Sequence, residues 1–387
     1  MSLFNTIAPI TITCHKRVAP YLTKEVESLG YTNLTTFITG VTFEGTLIDC
    51  IRLNLNLRCA SQILYTLLEF KASHPDELYE ELSECPWEDI IPEDAHLSIT
   101  SNVMNEHINN SMFANLRVKD AITDRLRKIR GNRPNTGSEL KGLVIHLFWK
   151  NDEATVFIDT SGPSLGRHGY RKIPGRAPML ESLAAATILA SNWNKKSVFV
   201  NPMCGSGTLA IEAALIATNR PPSLFRGNYS FMHISGFQKR WYFDAMNEVK
   251  SNIINSKLDF KIIASDYDSQ AIINATENAK AAGVNHLIDF QLCDFAETKF
   301  EPQEGGVMFM NPEYGERLGE ASELELTYGR IGTFLKQKCS GMNGYVFTGN
   351  FDLAKKIGLK PKRKIEFYNS KIDCRLFEYE MYSGSKR

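Results

Sequence analysis

VFVNPMCGSGTLAIEAALIA (198–217) decides the fold class. A β-branched run, VFVN, passes through Gly205 and Gly207 into an apolar helical pattern, the strand, turn and helix order of a doubly wound α/β sheet. The glycines let a ligand approach the backbone, and the helix N-terminus offers free N–H groups at the carboxyl edge of the sheet, where such folds bind cofactors. A Gly-x-Gly turn also serves plain strand-to-helix packing, so by itself it leaves both uses open. No Lys-Ser/Thr ending follows the turn, which disfavours a nucleoside triphosphate. The Gly-x-Gly-x-x-Gly spacing of a nicotinamide dehydrogenase is missing as well.

Outward from this segment the same alternation repeats. A helix over 179–193 precedes it. IIASD (262–266), the helical SQAIINATENAKAAG (269–283), DFQLCD (289–294) and VMFMNP (307–312) follow, predicting a parallel sheet. RKIEFYNSKIDCRLFEYEMY (363–382) alternates about Asn369-Ser370 and predicts an antiparallel hairpin. Residues 220–250, rich in aromatic and basic side chains, interrupt the pattern as an insertion. SGPSLGRHGYRKIPGRAP (161–178) has no apolar periodicity, reads as an ordered loop or linker, and marks a domain boundary.

Before that boundary the chain is α+β. ITIT (10–13), TTFITGVTF (35–43), HLSITSNV (96–103), LVIHLFWK (143–150) and EATVFIDT (153–160) have strand composition, and helices are expected around 76–84 and 113–130. A small mixed sheet with helices on one side is the economical arrangement. Residues 76–94 hold nine acids and no base, which reads as a solvated helix face. Residues 117–133 hold seven bases, among them Arg125, Arg127, Lys128 and Arg130. Arg167, Arg171, Lys172 and Arg176 form a second cluster, so either a solvated face or a phosphate-binding surface fits. The same two readings apply to Lys355, Lys356, Lys360, Lys362, Arg363 and Lys364.

The 387 residues predict two or three domains at ~150 residues each. Lys+Arg and Asp+Glu both number 44, so any surface for nucleic acid must be local. Apolar residues at 43% suffice for real cores. The eight cysteines never form Cys-x-x-Cys, which argues against a zinc ribbon or a disulfide scaffold and fits a reducing cytoplasm. No apolar run is long enough to span a membrane, and MSLFNTIAPITITCHK lacks the order of a signal peptide.

Chemistry gathers at successive strand ends. Asp266 closes the second strand, where a carboxylate can accept both hydroxyls of a ribose, and Asp294 closes the next. VMFMNPEYGERLG (307–319) then places Asn311, Pro312 and Tyr314 after a strand. The Asn311 side-chain oxygen and the Pro312 carbonyl can accept the two hydrogens of a planar exocyclic amine while Tyr314 stacks on its ring. Such an amine is a weak nucleophile, and two acceptors polarise it toward an electrophilic methyl group.

With these residues in place the sequence resembles the class I, S-adenosylmethionine-dependent amino-methyltransferases. More narrowly it resembles the THUMP-domain RNA guanine-N(2)-methyltransferases of the RlmL type, which act on large-subunit (23S) ribosomal RNA. The matching stretches are RHGYRKIPGRAPMLESLAAA (167–186), NPMCGSGTLAIEAALIA (201–217), SDYDSQAIINATENAKAAG (265–283) and NPEYGERLG (311–319). The resemblance implies a ferredoxin-like subdomain over 1–65, a THUMP RNA-binding domain over 66–162, and a Rossmann-like methyltransferase domain over 163–387. That last domain would carry a seven-stranded mixed sheet with an antiparallel last hairpin.

The resemblance further implies that Asn201, Pro202, Cys204, Gly205, Ser206, Gly207, Asp266, Tyr267, Asp294, Phe295 and Asn311 hold S-adenosylmethionine and its product S-adenosylhomocysteine. Asn311, Pro312 and Tyr314 would take the target base. Arg125, Arg127, Lys128, Arg130, Arg167 and Arg171 would grip RNA, either ribosomal RNA or a ribosome assembly intermediate, with no metal and no membrane involved. Two positions depart from the family. Asn201 stands where members usually carry Asp, and Glu313 replaces the second proline of the Asn-Pro-Pro-Tyr motif. The Glu313 carboxylate either faces solvent or reads a guanine edge. Adenine-6-amino methylation of DNA or RNA, guanine methylation of tRNA, and a non-enzymatic RNA-binding assembly factor remain alternatives.

Overall fold

The computed structural model describes residues 2–106, 108, 110–175, 178–255, 257–314 and 321–382. In chain order the first elements are β1 (Ala8–Thr13), α1 (Ala19–Ser28), β2 (Thr35–Phe37), β3 (Gly40–Gly45), α2 (Leu47–Asn56) and β4 (Gln62–Lys71). Then come α3 (Pro75–Glu84), α4 (Trp87–Ile90), β5 (His96–Met104), α5 (Ser111–Arg130), β6 (Asn135–Thr136), β7 (Leu143–Lys150) and β8 (Glu153–Asp159). The next stretch holds α6 (Glu181–Ala190), β9 (Phe199–Pro202), α7 (Thr208–Ala217), α8 (Lys239–Ser251), β10 (Ile262–Asp266), α9 (Ser269–Ala281) and β11 (Ile288–Leu292). The chain closes with β12 (Val307–Met310), α10 (Ala321–Lys338), β13 (Asn343–Thr348), α11 (Phe351–Lys356), β14 (Arg363–Asn369) and β15 (Ile372–Glu380).

Contacts divide these elements into two units. The first comprises residues 1–14, 23–165 and 226–249, and the second 15–22, 166–225 and 250–387. In the first, one eight-stranded sheet runs β2-β3-β1-β4-β8-β7-β5-β6. The long strand β4 pairs with β1 through its first residues and with β8 along its length, so the ferredoxin-like and THUMP stretches share a sheet. TTFITGVTF, expected as strand from its composition, forms the hairpin β2–β3. Gly40 begins β3 because a Cβ there would lie 2.3 Å from the Ile12 carbonyl oxygen. Most of the 220–250 insertion also belongs to this unit. Ser230 Oγ accepts from the Val144 N–H at 2.9 Å, and Trp241 packs on Phe4 with ring centroids 4.7 Å apart.

The acidic run is largely solvated, as expected, with Asp76, Glu77, Glu80, Glu81, Glu84, Asp89, Glu93 and Asp94 exposed and Glu88 half-buried, but ion pairs also tie it to the basic run. α3, α4 and α5 bring the two runs together where Asp76 pairs with Arg117 at 2.6 Å and Glu88 with Arg125 at 2.7 Å; Asp124 pairs with Arg133 at 2.7 Å within the basic run itself. The Arg125 guanidinium takes both Glu88 oxygens and holds that carboxyl down at about 2.

In the second unit the seven strands run β11-β10-β9-β12-β13-β15-β14, parallel except for β15, which is antiparallel to both neighbours. Every residue of β9, β10 and β12 is buried, as is every residue of α7, which explains their near-continuous apolar composition. Phe295, Tyr328, Phe334, Val346 and Phe377 belong to a core that α10 and α11 help to build on this sheet. The order reverses at β9, with β10 and β11 on one side and β12 and β13 on the other. That reversal makes the carboxyl edge between β9 and β12 a crevice.

Candidate active site

Pairing between β9 and β12 stops at Val200–Met308, so beyond it the two strands no longer bond through their backbones. The fully buried Asn201 spans this opening. Its Nδ2 donates to the Phe309 carbonyl at 2.8 Å, while its Oδ1 is buried with no hydrogen-bond partner among the described residues. Pro202 ends the strand, and Met203, Gly205 and Gly207 then adopt positive φ of 55°, 53° and 82°. Gly207 lies against α9, where a Cβ would stand 2.9 Å from that of Ala275; at Gly205 an added Cβ meets nothing within 4 Å. Gly207 is thus required for close helix packing, while Gly205 opens onto free space. Cys204 is buried, and burial pushes its thiol well above the usual range, so it is not a ready nucleophile.

Asp266, at the tip of β10, accepts from the Gly205 N–H at 2.9 Å and from the Asp268 N–H at 3.0 Å, one bond to each oxygen. Each oxygen keeps an acceptor site for a diol. Tyr267 beside it is 78% exposed. Beyond β11, Asp294 Oδ1 accepts from the Ala296 N–H at 2.9 Å and from Arg330 Nη2 at 2.6 Å. The Phe295 ring is 5% exposed, packs edge-on against Phe334 and lies 4.8 Å under the Arg330 guanidinium. Its side chain is therefore core, and only its backbone remains to face a cofactor. Arg330 carries no sequence signal, because α10 meets this strand end only through the fold.

After β12, Asn311 Oδ1 is likewise buried without a partner among the described residues. Pro312 is buried and Glu313 exposed, its carbonyl accepting from Tyr328 Oη at 3.3 Å. Tyr314 is half-buried, and its Oη accepts from Asn369 Nδ2 at 2.9 Å. Its ring lies beside Gly349, where a Cβ would come within 3.1 Å of it. Gly315–Gly319 of the motif lie outside the described residues, as does Arg176.

A second layer holds the glycine turn. The fully buried Asn278 of α9 accepts from the Lys172 and Ile173 N–H groups at 2.8 and 3.0 Å, and donates to the Ile173 and Ser206 carbonyls at 2.9 and 3.1 Å. It joins RHGYRKIP to the turn, and sequence reading passed over it as an ordinary helix residue. Glu212, buried within apolar α7, is met by His168 Nδ1 at 2.8 Å. Arg171 donates to Thr208 Oγ1 at 2.9 Å and to the Met179 carbonyl, and lies 3.6 Å from Glu181.

These engagements redraw the expected RNA set. Arg125 is taken up by Glu88 and the Ser83 carbonyl, Arg130 by the Ile91 and Glu88 carbonyls, and Arg171 by its own domain. Arg127, Lys128 and Arg167 are exposed. In the later run, Lys355, Lys356, Lys362 and Arg363 pair with Asp352, Glu325, Glu380 and Glu378. Among the described residues no group of His, Cys, Asp and Glu could hold a metal, and no helix is long and apolar enough to cross a membrane.

A glycine turn, an acidic strand tip and an Asn-Pro strand end, on a seven-stranded sheet with a reversed strand near its edge, define a Rossmann-like methyltransferase. Residues 168–378 match the RMKL-like methyltransferase domain, and the chain belongs to that family. Residues 9–64 match the RlmL ferredoxin-like domain and 72–159 the THUMP domain. The chain is similar to the ribosomal RNA large subunit methyltransferases K/L of Syntrophotalea carbinolica (36% identity over 97% of this chain and 54% of that protein) and Psychromonas ingrahamii (35%, 95% and 49%). It thus spans about half the length of the curated relatives it matches. The solved structure of SMU.472 complexed with SAH superposes with a TM-score of 0.87 at 27% identity, covering 98% of this chain and 99% of that one. A predicted N6-adenine-specific DNA methylase from Listeria monocytogenes gives 0.87 at 31%, covering 97% of each.

Proposed function

We propose that this chain methylates the 2-amino group of a guanine in RNA, with large-subunit ribosomal RNA the leading substrate and S-adenosylmethionine the methyl donor. The observation that carries the reading is the buried Asn311 Oδ1 at the tip of β12, one strand from the buried Asn201 Oδ1, neither with a hydrogen-bond partner among the described residues. A buried acceptor left without a donor costs about 1–3 kcal/mol, and an incoming amine or ammonium relieves it. The open space at Gly205 and the spare acceptor sites of Asp266 suit the nucleoside part of the donor.

When bound, the donor supplies an electrophilic methyl on a sulfonium. The chain's residues supply position and polarity. Asp266 accepts from the ribose, Asn201 Oδ1 faces the methionine end, and Tyr314, tethered by Asn369, gives the base a face to rest on. Asn311 Oδ1 and the Pro312 carbonyl accept the amine hydrogens, so that its lone pair forms the N–C bond as the methyl leaves sulfur, and the extra proton passes to solvent. In this reading 163–387 carries the chemistry and 66–162 grips RNA in a cytoplasmic setting. A base inside folded RNA must leave its stack to reach Tyr314.

Incubation of the chain with labelled donor and 23S ribosomal RNA, followed by nucleoside analysis, tests the reading. Label in N2-methylguanosine that is lost in Asn311→Ala is expected; label in methyladenine reverses the base assignment. The adenine alternative draws on the Listeria relative's description, since an Asn-Pro acceptor pair serves any exocyclic amine. Absence of S-adenosylhomocysteine binding by calorimetry would leave only an assembly factor.

A further inference from the structure

We infer that the β14–β15 hairpin tip, together with the 15–17 segment, forms a seat for the nucleotide next to the target base, with Lys16 and Lys371 gripping its phosphates and Ile372 supporting it. The inference rests on the RNA methyltransferase reading and adds a contact site to it. β12 and β13 are parallel and end at one edge, and β15 is antiparallel to β13, with Arg375 opposite Thr348. The Ser370–Lys371 turn, closed by Asn369 opposite Ile372, therefore emerges at the edge that carries Asn311 and Asp266.

Contacts place the turn beside the base slot. Asn369 Nδ2 donates to Tyr314 Oη at 2.9 Å, and a Cβ at Gly349 would meet both Ile372 Cγ2, at 2.6 Å, and the Tyr314 ring, at 3.1 Å. Ile372 is 47% exposed there. The 15–22 segment lies along β14: Tyr21 stacks on Phe367 with centroids 5.6 Å apart, and Lys16 Nζ sits 4.2 Å from the Tyr368 ring centroid. Arg17 and Arg375 are occupied by Glu366, and Arg375 also by Asp373. Lys16 and Lys371 are exposed and have no acidic partner among the described residues. Two unneutralised cations and an exposed apolar side chain around a stacking tyrosine suit a single strand of nucleic acid, which offers phosphates and a base face together.

The test compares binding of a 23S ribosomal RNA transcript by the full chain and by a Lys16→Ala/Lys371→Ala variant across a salt series. Losing two phosphate contacts should weaken binding about tenfold near 0.15 M salt and lower the slope of log Kd against log salt by about 1.4. S-adenosylhomocysteine affinity should be unchanged, and Lys16→Arg/Lys371→Arg should keep the original slope. Lys195→Ala/Lys196→Ala, exposed before β9 at the opposite edge, removes the same charge and should leave the slope intact. A slope unchanged in the first variant, or lowered equally in the second, overturns the hairpin seat while the enzymatic reading stands. Failure of the unaltered chain to bind transcript and S-adenosylhomocysteine overturns both.

Discussion

The Asp266 carboxylate accepts the Gly205 N–H at 2.9 Å, so the residue proposed to hold the ribose also shapes the glycine turn proposed to face the methionine end. Asp266→Ala removes both effects. A hydrogen bond to a charged group contributes about 1.5–3 kcal/mol, so the Kd for S-adenosylhomocysteine should rise roughly 10–100-fold by calorimetry. Asp266→Asn, which keeps one acceptor, should fall between. An unchanged Kd in the alanine variant would remove Asp266 from the cofactor site.

Asn201→Asp installs the acid that the resemblance leads one to expect at this position, yet it should harm this chain at neutral pH. Nδ2 of Asn201 donates to the Phe309 carbonyl; a carboxylate cannot, and would face that oxygen in a fully buried position. The expected loss is about 1–3 kcal/mol in denaturant melts, shrinking as acidification gives the carboxylic acid a proton to donate. A variant as stable as the parent at pH 7.5 contradicts this placement.

Asn278→Ala leaves the Lys172 and Ile173 N–H groups without their acceptor and frees the Ser206 carbonyl. About 2–4 kcal/mol of stability should be lost. Cofactor affinity should fall with it even at temperatures where the variant remains folded, because the glycine turn loses its backing.

Arg125→Ala should act on stability before RNA affinity. Its guanidinium bridges α5 to Glu88 and the Ser83 carbonyl, and its loss should cost about 1 kcal/mol in thermal melts. Arg127→Ala/Lys128→Ala, with both side chains exposed, should instead lower RNA affinity and leave the melting temperature alone.

Two buried groups of the first unit give opposing pH dependences. Burial pushes Asp159 up to about 6, so the folded state favours its protonated form and loses that stability as pH rises from about 4 through 6. Burial pushes His146 down to about 4, so the folded state favours neutral imidazole and loses stability as pH falls from about 6.5 to 4. Asp159→Asn should therefore steepen the loss of stability on acidification across that window, read from urea midpoints at pH 6.5, 5.5 and 4.5.

Sequence alone determined the local elements and the order of the motifs. The strand into Gly205–Gly207, the Asp266 strand tip, the Asn311-Pro312 strand end and the Asn369-Ser370 hairpin are each written in contiguous residues by side-chain periodicity and turn chemistry, and each is present. Tertiary structure alone decided which groups meet. Arg125 met Glu88, Asn278 met Lys172 and Ser206, Arg330 met Asp294, and the 226–249 stretch joined the first unit. Periodicity is a property of neighbours along the chain, whereas ion pairs and buried hydrogen bonds depend on which strand ends the sheet order sets side by side. That order comes from packing the whole apolar core at once, and no single segment contains it.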